Sequence, residues 1–550
     1  MRTLDWIVLA GTLGFIILYG LWRSRGSDNT DKYLRGERSM PWYAVALSIM
    51  ATQASAITFI STTGQSYTDG MRFVQFYFGL PLAMILISKF VVPVFHRANV
   101  YTAYEYLERR FDAKTRALVS TIFLIQRGLA VGVALYAPAV VLTVIFGWSD
   151  VATTWIMGAV IVTYTVLGGI KAITWTDFQQ MIIMLCGLVT AFIIAVNLLP
   201  QGIGFTEALA LAGATGRVNP VTFEMNWNDR YNIWSGLLGG MFLALAYFGC
   251  DQSQVQRYLT GKSIAQSRLS LLFNAVAKIP MQFFILLTGI IIFAFYIFEP
   301  PPMLFHAIEL KRVEQMPEYP ALKARYDVAI QTRKAAALKY VDAMKSGKGE
   351  TEAAEFREAQ AKLDFVRKAA TAQVSPKFND TNYIFLSFVT KYLPAGVVGL
   401  IMAVIFAAAM STISAEINSL ATVSVIDIYK RFVKPGLEDR HYLGASKVAT
   451  AFWGLYAIVT AQYGKNLGSL IEAVNMVGSL FYGGLLGVFA LALFFPRVKG
   501  TAAFTAVLIG EAAIFTAKYS GAVSFLWFNV IGSVTVVVAG LLLSGRDRAS

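Results

Sequence analysis

Ser48-Ile-Met-Ala-Thr-Gln-Ala-Ser-Ala-Ile-Thr-Phe-Ile-Ser-Thr-Thr-Gly64 sits inside an apolar run that begins near Pro41, yet Ser48, Thr52, Gln53, Ser55, Thr58, Ser61, Thr62 and Thr63 stud it with hydroxyl and amide groups. A helix in hydrocarbon must satisfy its backbone internally, and freed backbone groups are tolerated only around a cavity. A span this polar reads as a membrane helix that breaks midway, the pattern by which transporter helices build a binding site. The competing reading is tight packing of neighbouring helices through small residues.

On either side of it lie further runs long enough, at about 20 residues, to cross ~30 Å of hydrocarbon. Counting from Leu4, spans begin near Pro41, Arg72, Ala117, Val151, Thr176, Ile233, Leu269, Ala395, Val448, Ser469, Thr501 and Gly521, about thirteen in all. The composition agrees: 56% of the 550 residues are hydrophobic and 15% charged, where soluble domains carry roughly 25% charged residues. The expected class is therefore an all-α integral membrane protein forming one transporter domain over 1–550. Residues 4–22 would add a helix before a ten-helix core at 41–495, and 500–543 two helices after it. The run from Trp6 to Trp22 has no basic leader or cleavage site and is followed by Arg23 and Arg25, so it reads as a retained helix rather than a signal peptide.

The net charge of +14 is spread over short loops, which argues for membrane orientation rather than nucleic-acid binding. An N-terminus outside and a C-terminus in the cytoplasm put the basic loops Arg23 to Arg38, His96 to Arg116, Arg257 to Arg268 and Lys430 to Lys447, and the tail with Arg546 and Arg548, inside a cell membrane, as the positive-inside rule asks. The polar segment 300–380, with helical patches at Ala335 to Met344 and Ala353 to Lys368, then falls outside, and reads as a solvated helical hairpin. Cys186 and Cys250 form no disulfide framework or thiolate metal site.

The seventh span carries Gly236, Gly239, Gly240 and Gly249, a second candidate for interruption. Counted from the second span it opens another set of five, so the two breaks occupy corresponding places in a five-plus-five inverted repeat. In the ninth span, Ser411, Ser414 and Asn418 share a helical face and Thr412 stands beside Ser411. A sodium ion takes about five or six oxygens, and neutral hydroxyls with carbonyls from a broken helix supply them. Ala51 and Ala54 are in place to offer such carbonyls. Bonding of these hydroxyls to their own helix is the alternative.

Three motifs in order, Leu167-Gly-Gly-Ile-Lys-Ala-Ile-Thr-Trp-Thr-Asp-Phe-Gln179, Phe248-Gly-Cys-Asp-Gln-Ser-Gln-Val-Gln-Arg-Tyr-Leu259 and Met410-Ser-Thr-Ile-Ser-Ala-Glu-Ile-Asn-Ser419 with Asp427-Ile-Tyr-Lys430, resemble those of the sodium/solute symporter family. The resemblance implies the leucine-transporter-type fold and sodium-coupled uptake of a small polar or anionic organic solute by alternating access, with Na+ as the coupling ion. It implies a sodium site from the carbonyls of Ala51, Ala54 and Ala408 and the hydroxyls of Ser411 and Thr412. A second sodium site found in some members would use Asp177, Ser411, Ser414 and the following residue, here Ala415, which lacks the oxygen. The solute pocket would include Gln53, Ser55, Thr58, Gln75 and, as an aromatic gate, Tyr247. Hexose is disfavoured, since Ile57, Thr58 and Ala244 stand where the sugar-transporting branch has acidic and amide ligands.

Arg127, deep in the fourth span, costs ~2.5 to 3.5 kcal/mol on insertion scales, which a bound solute carboxylate or an internal ion pair could offset. Lys89, Lys278, Glu416 and Glu511 also lie in apolar runs, with Lys278 and Glu416 placed to pair. The histidines, His96, His306 and His441, sit in loops or at membrane borders, and no phosphate loop, zinc motif or nucleophile elbow occurs, so an enzyme is disfavoured. Two breaks meeting at mid-membrane favour alternating access over a channel, no sensor module follows the last span, and a proton-coupled transporter of the same fold is the alternative. The partners expected are a small solute and the bilayer, with no nucleic acid and no obligatory protein partner.

Overall fold

The structure, a computed structural model, describes residues 2–23, 30–35, 39–347, 349–376, 378–463 and 469–546. Most of the expected basic loop from Arg23 to Arg38, and Arg548 in the tail, lie outside the described residues. Among the described residues the regular elements are all helices, and ten of them are long and apolar enough to cross a bilayer. The starts expected at Pro41 and Ile233 fall on interrupted helices, and the one at Val448 lies in Asp439–Ala461, which opens on Asp439, Arg440 and His441. The start expected at Arg72 lies in a 3-10 segment, Gly70–Tyr77, that joins the second span to the third. Gly70 makes that join possible: its φ is +80°, and a Cβ there would meet the Arg217 carbonyl oxygen at 2.4 Å.

The first interruption is where the hydroxyl-rich sequence placed it. Trp42–Gln53 stops, Ala54 (φ −86°, ψ 62°) and Ser55 (φ −70°, ψ 172°) leave helical geometry, and Ala56–Asp69 resumes. The second separates Gly240–Gly249 from Gln252–Leu259, at Cys250 and Asp251. Asp251 causes it locally, because its carboxylate caps the new helix by accepting the Ser253 N–H at 2.9 Å. Gly236 and Gly240 lie before this break and serve close packing instead: a Cβ on either would meet the carbonyl oxygen of Gln75 or Phe76 at 2.0 and 2.4 Å.

The spans expected at Val151 and Thr176 form one helical run, Asp150–Asn197, with separate apolar windows at Asp150–Leu167 and Ile173–Asn197. Both its ends lie on one face of the molecule. Asp150 accepts from Tyr136, whose hydroxyl lies 3.4 Å from that of Tyr383 just past the polar insertion, and Gly202, just past the other end of the run, accepts from Lys345 of that insertion. Its middle lies at the opposite face, where Thr165 and Val166 carbonyls accept from Tyr33, beside the Thr30 to Asp439 contact. The run therefore crosses twice.

The polar segment folds as Tyr319–Lys345 and Glu350–Val374, a helical hairpin with its own small core around Tyr326, Ile330 and Leu363. Arg333 donates to the Tyr296 carbonyl, Tyr326 donates to the Pro301 and Pro302 carbonyls at 3.1 Å, and Arg367 pairs with Asp380 at 3.0 Å. The next residue, Thr381, packs its carbonyl against Gly64 so closely that a Cβ would approach it to 2.0 Å. The hairpin is thus tied to Ala56–Asp69, the second half of the first interrupted helix.

Candidate functional site

Ending a helix at Gln53 leaves its last carbonyls without intrahelical donors. Met50 recovers one from the Ala54 N–H at 2.7 Å, Thr52 accepts the Thr412 hydroxyl at 3.1 Å, and Gln53 accepts the Thr58 hydroxyl at 3.2 Å. Helix Val397–Val423 therefore meets the break through Thr412. Ala51, Ala54 and Ala408 are fully buried, and Ser411 and Thr412 are buried beside them. The Ser411 hydroxyl donates to Asp177, which leaves its oxygen lone pairs for a cation.

Asp177 stands at the meeting of four helices. It accepts from Ser48 at 2.6 Å and from Ser411, and pairs with Arg257 at 2.9 Å. Arg257 also donates to Ser48 at 2.9 Å. The carboxylate is thereby neutralised by a guanidinium. Ser414, expected to join Asp177 in a second sodium site, donates to the Ser411 carbonyl at 3.1 Å.

A cavity of about 90 Å³ lies between the two interruptions, lined among others by Gln53, Ser55, Thr58, Arg127 and Tyr247, with Thr412 in its wall. Five of the six expected solute residues thus face one space. Gln75 does not: its amide donates to the Tyr231 carbonyl at 2.8 Å and accepts from the Thr222 N–H at 2.9 Å, so it braces a loop.

Arg127 lines the cavity inside an ion-pair cluster. Its guanidinium meets Glu416 at 2.7 Å, Asp251 at closer range, and the Tyr482 hydroxyl at 2.7 Å, and stacks over the Tyr247 ring with the centroid 5.5 Å away. Tyr482 also donates to Asp251 at 2.9 Å. The pairing expected between Lys278 and Glu416 is therefore replaced. Lys278 lies 5.3 Å from the Tyr77 ring centroid and has no hydrogen-bond partner among the described residues. Glu416, Asp251 and Tyr482 were not expected at the site. The available signal was Arg127 itself, which requires a counter-charge, and the placement of Glu416 one helical turn from Thr412.

Known proteins resemble this chain over most of its length. The sodium/sialic acid symporter SiaT of Proteus mirabilis is 26% identical over 544 residues, covering 98% of this chain and 94% of that one. The human sodium-coupled monocarboxylate transporter 1 is 28% identical over 514 residues, covering 92% of this chain and 72% of that one. A solved Na+-coupled sialic acid symporter, in a substrate-bound outward-open state described as revealing a novel Na+ site, superposes with a TM-score of 0.77 at 25% identity, covering 99% of this chain and 98% of that one. It carries the leucine-transporter-type fold. The family described as the sodium:solute symporter family matches residues 33–314 and 362–510, a gap that falls on the polar hairpin; the chain belongs to that family.

Proposed function

We propose that this protein couples inward movement of one sodium ion to uptake of a small organic solute held in the cavity between the two interrupted helices. Sodium-coupled symport across a membrane is the activity of its family; the residues that perform it here are the proposal. The sodium ion is held by the carbonyls of Ala51, Ala54 and Ala408 and the hydroxyls of Ser411 and Thr412. Gln53, Ser55, Thr58 and Tyr247 contact the solute, with the Arg127 cluster behind them.

The observation that carries this reading is the double position of Thr412, which is hydrogen-bonded to the break at Thr52 and also lines the cavity. Ion and solute then share one wall, so binding either fixes the geometry of the other's site. That is the differential affinity coupling requires. The same reading treats the chain as one transporter unit with the hairpin outward, the N-terminus outside and the C-terminus in the cytoplasm, supported by the basic loops around Arg109, Arg110 and Arg431 on the opposite face.

Thermal unfolding of the purified protein in detergent tests the sodium site without a solute. Sodium, compared with potassium at equal ionic strength, raises the midpoint, since a ligand at 100 times its Kd stabilises the native state by ~2.7 kcal/mol. Ser411→Ala/Thr412→Ala removes the rise. An equal response to both cations would overturn the assignment and redirect attention to proton-driven uptake.

A further inference from the structure

A second cavity lies among Leu80–Leu86 with its continuation to Val91, Gly240–Gly249, Leu470–Phe494 and Phe525–Arg546. It holds about 400 Å³, against about 90 Å³ for the polar one. Its wall is apolar, with Ile87, Leu245, Leu486 and Phe489 facing the space. Ser533, the one hydroxyl among the described lining residues, donates away to the Gly483 carbonyl at 3.1 Å and the Asn529 carbonyl at 2.7 Å. A polar ligand would find no partner here, and an empty apolar cavity forfeits the packing its lining could make.

The rim shows where an occupant comes from. Leu86, Phe494, Val534 and Val538 are between 37 and 51% exposed, on spans whose outer surface meets hydrocarbon, so the cavity opens to lipid. The Leu470–Phe494 wall runs from Leu486 to Phe494, eight residues on, or about 12 Å at 1.5 Å each. One leaflet supplies about 15 Å of hydrocarbon, half of the ~30 Å total. One end of the cavity rests on Gly249 and Cys250, where the second interruption begins, and Phe90 and Phe494, with ring centroids 5.3 Å apart, close the other.

Positive charge collects at the Phe90 end. Lys89 holds its ammonium 5.2 Å from the Phe90 ring centroid, and Arg110 donates to the Phe495 carbonyl at 2.9 Å and lies 4.9 Å from the Phe111 ring centroid. Arg497 is exposed three residues past Phe494. Among the described residues none of these three cations pairs with a carboxylate. An apolar slot one leaflet deep, with unmatched cations at its mouth, has the two-part chemistry of a lipid that bears a phosphate.

We propose that this cavity holds one acyl chain of an anionic phospholipid, its phosphate at Lys89, Arg110 and Arg497 and the tip of the chain against Gly249 and Cys250. Because the floor is the interruption itself, an occupied cavity props the Gly240–Gly249 half-helix in place, and lipid occupancy and the state of the transporter are linked.

The test gives the purified full chain phosphatidylglycerol or phosphatidylcholine carrying the same diazirine-tipped acyl chain, and maps the photolabel by peptide mass spectrometry. Phosphatidylglycerol labels 242–250 roughly fivefold or more over phosphatidylcholine, and Lys89→Gln/Arg497→Gln brings the ratio close to parity, since each cation near a membrane surface is worth about fivefold. Ala490→Trp, which fills the cavity from the Leu470–Phe494 side, removes the label at 242–250 while label on the lipid-facing helix Thr3–Arg23 and the helical circular dichroism stay unchanged. Equal labelling by the two lipids would overturn the proposal in favour of any acyl chain. Absence of label at 242–250 from both would overturn it too, and a disulfide-linked dimer of Ala490→Cys would then give the cavity to a second copy.

Discussion

Asp177 and Arg257 lie far apart in the chain, yet their side chains meet at 2.9 Å and both are almost fully buried. Removing one member of such a pair strands the other, which typically costs 3–5 kcal/mol. Arg257→Ala is expected to lower the unfolding midpoint sharply, and Arg257→Gln/Asp177→Asn, which removes both charges, to recover part of the loss in the same assay. The motifs pointed to residues that the fold does bring to the break: Ser411 donates to Asp177 and Thr412 to the Thr52 carbonyl. Partnerships were not legible in the sequence. Lys278 and Glu416 looked like a pair because both are charged and in apolar runs; only the rotation of each helix decides that Glu416 faces Arg127 while Lys278 faces Tyr77. Gln75 was misread for the same reason, its amide being turned toward a loop.

The two interruptions show how differently a break can be written into an element. The first is marked by hydroxyls dispersed through a span, and lies among them. The second was expected in the span carrying Gly236, Gly239, Gly240 and Gly249, and opens directly after the last of these, where Asp251 caps the new helix, because a cap supplies a partner for freed N–H groups and glycine supplies none. Gly236 is a packing residue: its missing side chain leaves room for the Gln75 carbonyl. Gly236→Ala is expected to destabilise by about 1 to 3 kcal/mol through overpacking, read as a lower midpoint with the sodium-specific rise retained. In the insertion, His306 caps helix Ala307–Val313 by accepting the Glu309 N–H at 3.3 Å. Burial pushes its imidazole below the ordinary value of 6.5, outweighing the nearby carboxylates of Asp150, Glu309 and Asp380. A folded pKa below the unfolded one means the contribution is present above that value and is lost as pH falls below it. Limited proteolysis of the hairpin region is expected to quicken as pH falls below 6.5. His306→Asn, which keeps a capping group that does not titrate, should flatten the response.

At the scale of the whole molecule, the charge of the solute decides how hard the transporter can pump. One sodium entering at 100 mV releases ~2.3 kcal/mol, and a tenfold gradient adds ~1.4. Together these concentrate a neutral solute roughly 500-fold. A monoanion moving with one sodium cancels the voltage term and keeps only about tenfold. Current recorded from solid-supported membranes carrying the protein, compared with tracer uptake of the same solute, is therefore expected to be about one inward charge per solute when the solute is neutral. A flux with no current would mean an anion travels. The membrane spans and the first break could be read from the chain, since lipid imposes length, polarity and broken helices on any sequence. The Arg127 cluster could not, because Arg127, Asp251 and Glu416 are brought together from separate helices.

The hairpin offers a practical consequence. Arg367 and Asp380 fasten it one residue before Thr381, whose carbonyl rests on Gly64 of the first interrupted helix, while Phe365 on its surface is 75% exposed. Any tilt of that helix during the cycle must drag the fastening with it. A fluorophore attached at Phe365→Cys, paired with a second dye near Tyr519, would make the hairpin a semaphore, signalling from the water each time the hidden centre changes state.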